Sequence, residues 1–343
     1  MGTNRSRFLI SIGVILTFSL ITIWSTVPNL FFYQLTFLLV GLIIMYYFSK
    51  LDLGLVLGLS TPLYILSIIL LLLTLLLGEN VRGSTRWLNL GLFPLQTSEL
   101  VKLFLIFFYA NYISNKKPIF TFALLALMPF LLILKQPDLG SALVLLVIPL
   151  VIYLSSRFKL KTLLILLAST LVIIPLGLKF AKPYQLARVE SFLNPYADTA
   201  GRGYNVIQSI ISIGSGRFMG KGVSLGTQSH LSFLPERHTD FIFASFVEEF
   251  GFLGSLLVLA SFFFLLQTML ENAEKLKDQG LYLVQMAIFT LFAFQTFVNI
   301  GMNLGLMPVT GITLPLFSYG GSSLISTLAI IGIQLKLLDS TGS

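Results

Sequence analysis

The chain has 343 residues, of which 56% are hydrophobic and only 10% are charged, and its mean hydropathy is +0.91. A soluble domain is typically about 25% charged, so this composition excludes a soluble globular protein. The absence of cysteine excludes disulfides, iron–sulfur clusters and thiol chemistry, and two histidines are too few for a histidine-rich metal site.

Long apolar runs predict an all-α, polytopic membrane protein, because about 20 apolar residues in a helix cross a bilayer. Transmembrane barrels, which alternate apolar and polar residues, are excluded. In chain order, hydropathy predicts ten spans at about 8–27, 30–48, 54–78, 98–114, 119–134, 139–156, 160–180, 240–270, 281–302 and 313–337. The first follows Arg5 and Arg7 like a signal peptide. It lacks a clear small-x-small cleavage site and is interpreted as the first helix.

The basic residues orient these spans. An even number of spans puts both termini on one side, whose ends and loops contain eleven Lys and Arg: Arg5, Arg7, Lys50, Lys116, Lys117, Arg157, Lys159, Lys161, Lys275, Lys277 and Lys336. The short loops of the other side contain only Arg82, Arg86 and Lys135. The positive-inside rule therefore predicts cytoplasmic termini. Topology thus accounts for the basic residues behind the net charge of +8, and no nucleic acid partner is expected.

The long polar segments fall on the predicted outer side, at 79–97, 135–138, 181–239 and 303–312. Functional residues concentrate in loops, so the working surface is expected on this face. No fixed-period repeat is present. We predict one domain over 1–343, with 181–239 as a large extracytoplasmic loop between the seventh and eighth spans. Within it, residues 204–213 have an apolar helical face that could lie flat on the membrane.

One charged motif precedes the fourth predicted span, and another begins it. In "RGSTRWLNLG" (82–91), Arg86 precedes Trp87, and an interfacial aromatic belt is the default reading of this Trp. In "QTSELVK" (96–102), Glu99 suits the positive end of the helix dipole, but Lys102 opposes it. The two share a helix face at i,i+3. A buried ion pair and a site for an anionic head group are both open.

Two further motifs have plain structural explanations, and a third could bind an anion. In "KQPDLGSAL" (135–143), Asp138 is placed to cap the sixth span. "LPLFSYGGSS" (314–323) offers glycines and hydroxyls for close helix packing. "GSGRFMGKGVSLG" (214–226) is not a nucleotide phosphate loop, although its glycines, Arg217 and Lys221 could wrap an anion.

The densest cluster of charge is "FLPERHTDFIFASFVEEFGFLG" (233–254), at the start of the eighth span. Thr239 or Asp240 could cap this helix. Asp240 could equally be a carboxylate held at the outer boundary, able to take a proton or to hold a divalent cation. Glu248 and Glu249 each cost about 2.5–3.5 kcal/mol if they lie deep in the membrane. A structural ion pair or an interfacial position is therefore favoured for them.

These motifs also carry a resemblance. The chain resembles the SEDS family, the RodA and FtsW proteins of bacteria, over nearly its whole length. The shared motifs, in the family's order, are "GSTRWLNLG", "QTSELVK", "KQPDLGSAL", "GRGYNVIQS", "GTQSHLSFLPERHTDFIFASFVEEFGFLG" and "LPLFSYGGSS". The fifth motif and the short N-terminus look more like the RodA branch.

The resemblance implies a peptidoglycan glycosyltransferase of the bacterial cytoplasmic membrane. Such proteins polymerise lipid II into glycan strands on the outer face, for cell elongation and shape or for division, beside a class B penicillin-binding protein that crosslinks the strands. The family's essential aspartate falls on Asp240. Its other sensitive positions fall on Arg86, Trp87, Glu99, Lys102 and Asp138. Transpeptidase motifs are not arranged as a domain here, so crosslinking by this chain is not expected.

We therefore expect Asp240 to be the catalytic base of an inverting glycosyl transfer. Lys102 and Arg86, with the loop cations Arg188 and Arg202, would offset the charge of the leaving pyrophosphate. His238, beside Asp240 in the sequence, is added to the expected substrate contacts. In the alternative, Asp240 holds Mg²⁺ or Mn²⁺.

Two other classes of function remain open on the residues alone. A lipid flippase or transporter also has many spans and intramembrane charges. A scaffold that only positions a partner is the third. Membrane lipids, lipid II and the nascent glycan are the other expected contacts.

Overall fold

The computed structural model describes residues 2–81, 84–89, 91, 94–157, 183–198, 201 and 203–341, and most of them are helical. The first helices are α1 (Gly2–Thr26), α2 (Pro28–Phe48), α3 (Leu53–Gly58), α4 (Ser60–Leu77), α5 (Thr97–Ser114), α6 (Ile119–Lys135) and α7 (Leu139–Ser156). They are followed by α8 (Pro183–Leu193), a 3-10 turn (Pro195–Asp198), α9 (Tyr204–Gly216), α10 (Thr227–His230), α11 (Ile242–Ala273), α12 (Gln279–Asn303) and α13 (Gly321–Ser340).

Seven of the described helices are long and apolar enough to cross a membrane, namely α1, α2, α4, α7, α11, α12 and α13. The prediction of a helical, multi-pass membrane protein is therefore confirmed. Helix α6 is apolar but has only 17 residues. The predicted seventh span, 160–180, lies outside the described residues. The other nine predicted spans all coincide with helices.

Two predicted spans have the wrong bounds. The third, 54–78, is two helices, because the chain turns at Leu59 between α3 and α4. The tenth, predicted from 313, begins only at Gly321. Leu316 has a φ of 63°, which an α-helix does not allow, and the preceding Pro315 has no N–H to donate. Residues 313–320 are therefore a non-helical segment at the end of the bundle.

Helix α11 is broken at Gly251, whose φ of 65° and ψ of −161° are not helical. The segment 217–222 fills the break. The N–H groups of Phe252 and Leu253 donate to the carbonyls of Arg217 and Phe218 at 2.9 and 3.2 Å. The carbonyls of Glu248 and Glu249 accept the N–H groups of 221 and 222 at 2.9 and 3.0 Å. These four backbone groups next to the break are thus paired.

The break explains why the eighth predicted span is longer than one crossing of a bilayer requires. At 1.5 Å per residue the part from 252 to 273 is about 33 Å long, which is sufficient to cross a bilayer core of about 30 Å. The part from 242 to 250 is not needed for crossing. Its charged residues therefore need not lie at the middle of the membrane.

A three-stranded antiparallel sheet, which the sequence did not predict, occupies the connection between α4 and α5. Its strands are β1 (Glu79–Val81), β2 (Ser84–Asn89) and β3 (Pro94–Gln96), in the order β1-β2-β3. Trp87 of β2 stands opposite both Glu79 and Gln96. Because β3 runs directly into α5, the sheet fixes Arg86 and Trp87 next to the first turn of that helix.

The helices pack so that both ends of the chain join one bundle. Helix α1 lies along α11, α2 along α13, and α12 along α7. Helix α5 is in the middle, with buried residues on nearly all of its faces. Helix α2 is the opposite case, since only 17% of its span is buried within the protein. It therefore faces lipid, and the charges of α5 lie in the protein core.

Candidate functional site at one end of the bundle

Asp240 lies immediately before α11, and its backbone is fixed by α12. Its carbonyl accepts the side-chain N–H groups of Asn299 and Asn303 at 3.2 and 2.9 Å. Its side chain is half-buried. A methyl group added at Gly311 would lie 3.7 Å from its Oδ2. The carboxylate therefore faces the connection between α12 and α13.

The prediction that Thr239 or Asp240 caps this helix is wrong. The N-cap residue of α11 is Phe241, and it has no side-chain cap. The N–H of Ala244 donates instead to Oδ1 of Asn303, at 3.0 Å. Within the described part of the chain, no donor is hydrogen-bonded to the carboxylate of Asp240. Among the described residues, none occupies its oxygens by a hydrogen bond.

Burial raises the pKa of Asp240 to about 6. The negative charges of Glu236 and Asp138 also raise this pKa, whereas the positive charges of Arg188 and Arg86 lower it. Nη1 of Arg188 donates to the carbonyl of Thr310 at 3.0 Å, and this bond holds α8 against the segment that faces Asp240. The charges of two arginines from distant parts of the chain therefore act on this one carboxylate.

Asp138 caps α7, as predicted. It accepts the backbone N–H and the Oγ–H of Ser141 at 3.0 and 2.8 Å. Its other contacts come from the sheet: Nε of Arg86 lies 3.8 Å from Oδ2, and the amide of Gln96 donates to Oδ2 at 3.5 Å. Nη2 of Arg86 also donates to the carbonyl of Pro137 at 2.6 Å. The cap and the ion pair together join the sheet to the start of α7.

Glu99 and Lys102 form a buried ion pair with a separation of 2.8 Å, and their side chains are only 8% and 3% exposed. Both lie in the first two turns of α5. The neighbouring Ser98 is 3.3 Å from Ser141, which binds Asp138. The pair is thus next to the Asp138 site, in the core, and its charges are satisfied by each other.

The remaining predicted residues lie at the edges of this region. Trp87 is half-buried in β2. The ring of His238 lies 5.6 Å from that of Tyr319, and its carbonyl accepts the N–H of Tyr319 at 2.8 Å. Arg202 lies outside the described residues. Arg86 therefore pairs with Asp138, and the charges of both act on Asp240 together with that of Arg188. Glu99 and Lys102 pair with one another.

Glu248 is a structural anchor. Its buried carboxylate accepts the backbone N–H groups of Thr227, Gln228 and Ser229 at 2.8, 2.9 and 2.9 Å, and it pairs with Nζ of Lys221 at 2.8 Å. It thereby caps α10 from another helix. The structural ion pair favoured by the sequence is present at this glutamate.

Glu249 points the other way, towards α1. Its carboxylate accepts the hydroxyl of Ser25, and Nε2 of His230 lies 3.6 Å from Oε1. The same ring nitrogen is 3.1 Å from the carbonyl of Ser25. Both adjacent glutamates therefore contact α10, and Glu249 also binds α1, so they brace the segment that leads to Asp240.

We expect Glu248→Ala to lower the thermal midpoint of the protein in detergent and to speed hydrogen exchange at residues 227–229. Each of these N–H groups left without an acceptor costs about 1–3 kcal/mol, so a loss of about 3 kcal/mol or more is expected. Glu274→Ala is the control, since Glu274 is an exposed residue at the other end of the same helix. Equal midpoints for the two variants would contradict the anchoring role.

Sequence reasoning missed Asn299 and Asn303, the residues that contact the backbone of Asp240. They stand one turn apart in the apolar span "QTFVNIGMN" (295–303). Polar residues within an apolar span are costly and face the bundle interior, so this spacing was a usable signal. The segment at Thr310 was missed as well, since nothing in its own sequence places it near Asp240.

The side chains around Asp240 do not form a metal site by themselves. Among the described residues, no group of three or more His, Cys, Asp and Glu side chains is arranged to hold a metal ion. Asp138 already binds Ser141 and Arg86, and the charges of Arg86 and Arg188 oppose a cation. The donor set suits an anion better than Mg²⁺ or Mn²⁺.

The fold and the site define a polytopic helical membrane protein with a cluster of charged side chains at one end of its bundle. The sequence profile of the FtsW/RodA/SpoVE family, described as cell cycle proteins, matches residues 5–342. The chain belongs to this family. The matches below include FtsW, SpoVE and RodA proteins, so the closer likeness to RodA stays a prediction.

Named relatives and solved structures agree with the family. A probable peptidoglycan glycosyltransferase FtsW from Buchnera aphidicola subsp. Schizaphis graminum is 37% identical over 81% of each chain. Stage V sporulation protein E of Bacillus subtilis is 35% identical over 96% of this chain and 93% of its own. A peptidoglycan synthase complex that coordinates polymerization and crosslinking has a TM-score of 0.85 at 34% identity, over 97% of both chains. RodA of Thermus thermophilus has a TM-score of 0.73 at 29% identity, over 97% of this chain and 96% of its own.

Proposed function

We propose that this chain polymerises lipid II into glycan strands, with Asp240 as the general base. The chain is a peptidoglycan glycosyltransferase of cell-wall synthesis, the activity for which relatives at 36–39% identity are named. The observation that carries the assignment of Asp240 is its geometry. It is a half-buried carboxylate at the end of the bundle that faces Gly311 and has no hydrogen-bonded donor among the described residues. The positive charges of Arg86 and Arg188 act on it.

The proposed reaction is one inverting displacement. The donor's anomeric carbon carries an α-linked polyprenyl pyrophosphate. The acceptor's 4-hydroxyl attacks this carbon, its proton goes to Asp240, and the bond to the pyrophosphate oxygen breaks with its electrons leaving on the pyrophosphate. The product is a β-1,4 link. Arg86 and Arg188 stabilise the leaving charge, which grows in the transition state. A second carboxylate, as hydrolases use, is not required.

The raised pKa of Asp240 predicts the pH dependence of polymerisation. A base acts when it is ionised, so the rate should rise through about pH 6 and level off above pH 7. At pH 5 such a carboxylate is about tenfold less ionised than at pH 7. Arg188→Gln removes a positive charge that lowers this pKa, so the midpoint should move to higher pH. The midpoint is obtained from the initial rate of polymerisation measured between pH 5 and 9.

The control for that profile is Arg157→Gln, since Arg157 is an exposed arginine at the end of α7 remote from Asp138. Its midpoint should equal that of the unmodified protein. A flat profile between pH 5 and 7 in the unmodified protein would argue against Asp240 as the base. Polymerisation that is lost on chelation and restored by Mg²⁺ or Mn²⁺ would support the metal alternative instead.

The finer topology belongs to the same proposal. It has ten spans, cytoplasmic termini and the Asp240 site on the extracytoplasmic side of the inner membrane. The excess of Lys and Arg in the loops predicted to be cytoplasmic supports this orientation. Asp138, Asp240 and the sheet all lie at one end of the bundle, at positions predicted to be outside. This is the face on which a lipid-linked disaccharide would meet a growing strand.

A class B penicillin-binding protein is the proposed partner. The solved complex with a TM-score of 0.85 is one that coordinates polymerization and crosslinking. The strands that this chain would make need a crosslinking enzyme to join them, and a class B penicillin-binding protein would supply that activity.

The deciding experiment supplies labelled lipid II to the purified chain, with and without the partner, and separates the products by size. Long glycan strands are expected. A lipid II translocation assay in vesicles runs beside it. Translocation without polymer would favour the flippase. If the chain shows neither activity, alone or with the partner, a scaffold would be favoured.

A further inference from the structure

Two asparagines of α12 stand out from the apolar helix around them. Asn299 and Asn303 are both fully buried, and they occupy consecutive turns of the same face. A buried amide without partners is costly, so the direction of its hydrogen bonds indicates what it holds in place. All of the bonds that these two side chains make to other elements go to the region of Asp240.

Their contacts form a frame around the reactive residue. Nδ2 of Asn299 donates to the carbonyls of Asp240 and Ile312 at 3.2 and 2.8 Å. Nδ2 of Asn303 donates to the carbonyl of Asp240 at 2.9 Å, and its Oδ1 accepts the N–H of Ala244 at 3.0 Å. The carbonyl of Asp240 therefore receives two donors, and the N–H of Ala244, four positions on, is capped by Asn303.

The frame also fixes the segment that faces the carboxylate. Ile312 follows Gly311, which lies against Oδ2 of Asp240, and Thr310 is the anchor of Arg188. Asn299 thus joins the backbone of the base to the segment that holds one of its two arginines. A shift of either asparagine would move the base and the cation relative to each other.

We propose that Asn299 and Asn303 are positioning residues for glycosyl transfer, acting through the backbone of Asp240. This inference rests on the proposed function. Neither side chain has an atom free for substrate, since the donors and the acceptor of each are directed at backbone groups or at the other asparagine. They set where the carboxylate stands when the acceptor hydroxyl arrives. A misplacement of about 1 Å in such a geometry can cost about 10²-fold in rate.

The test uses Asn299→Leu and Asn303→Leu, which keep the approximate shape of the side chain and remove its hydrogen bonds. Each is expected to lower kcat for lipid II polymerisation by about 10–100-fold, with KM within about twofold of the unmodified protein. The control is Asn272→Leu. Asn272 is also buried and donates to Gln285 at 3.1 Å, but it lies at the other end of α11. It should lose thermal stability comparably while keeping its kcat per folded molecule.

A second measurement does not depend on activity. Hydrogen exchange of the peptide 238–246 should speed up in Asn303→Leu, because the N–H of Ala244 loses its acceptor, and it should stay unchanged in Asn272→Leu. Faster exchange with an unaltered kcat would overturn the positioning role. Faster exchange in a protein whose unmodified form makes no polymer would leave the frame in place and overturn the proposed function instead. Unchanged exchange in a folded Asn303→Leu would refute the frame itself.

Discussion

Asp240→Asn is expected to abolish glycan polymerisation while leaving the protein folded and inserted. The asparagine has the same shape as the aspartate but cannot take a proton from the acceptor hydroxyl. General-base help is typically worth about 10²–10⁴-fold, so the rate should fall at least about a hundredfold. The fold should tolerate the change, because the carboxylate caps no helix and its burial is unfavourable to its charge. The measurement is polymer formed from labelled lipid II at saturating substrate.

The matched control is Asp278→Asn at the opposite end of the bundle. Asp278 caps α12 by accepting the N–H of Leu281 at 2.8 Å, and asparagine caps a helix about as well as aspartate. Full activity is expected from it. Near-normal polymer from purified Asp240→Asn, at an unchanged thermal midpoint, would rule out this residue as the base.

Lys102→Met should cause the largest loss of stability among these variants. Methionine fills the space of the lysine stem but leaves the Glu99 carboxylate buried and unpaired in the protein core. Removal of one partner of a buried ion pair costs about 3–5 kcal/mol. Thermal unfolding in detergent should therefore show a clearly lower midpoint. The double variant Glu99→Gln with Lys102→Met should regain most of the loss, because no charge is then left unpaired.

The double variant also separates the two interpretations of Lys102. If the pair only stabilises the core, a refolded double variant should polymerise lipid II at close to the normal rate. A stable but inactive double variant would indicate that Lys102 binds the anionic head group of the substrate. No recovery of stability in the double variant would refute the buried pair as the source of the loss.

The motifs located the candidate site, but not its contacts. A charged residue is costly in an apolar span, so each one in such a chain indicates either a partner or a function. That reasoning found Asp138, Asp240 and the Glu99–Lys102 pair. It assigned the wrong cap to α11, because the cap comes from Asn303, which is 59 positions beyond the residue that it caps. Local sequence contains no information on a partner at that distance.

The secondary structure shows the same contrast between elements that the local sequence predicts and elements that it does not. The apolar spans followed from composition alone, and nine of ten coincide with helices. The sheet was missed because its strands are short and its first pairing depends on a chain reversal between β1 and β2. The break in α11 was missed because Gly251 alone is compatible with a helix. Only the segment 217–222, which pairs with the freed backbone groups, makes the break stable.

The sequence by itself determined that this chain is a multi-pass helical membrane protein, which family it belongs to, and which ionisable side chains need an explanation. These follow from the cost of polar groups in lipid and from motifs, which are local properties. Tertiary structure alone decided that Glu248 caps α10, that Lys102 pairs with Glu99, and that Asn299 and Asn303 hold the backbone of Asp240. Those outcomes depend on which helix ends meet, and that is fixed by packing of the whole bundle.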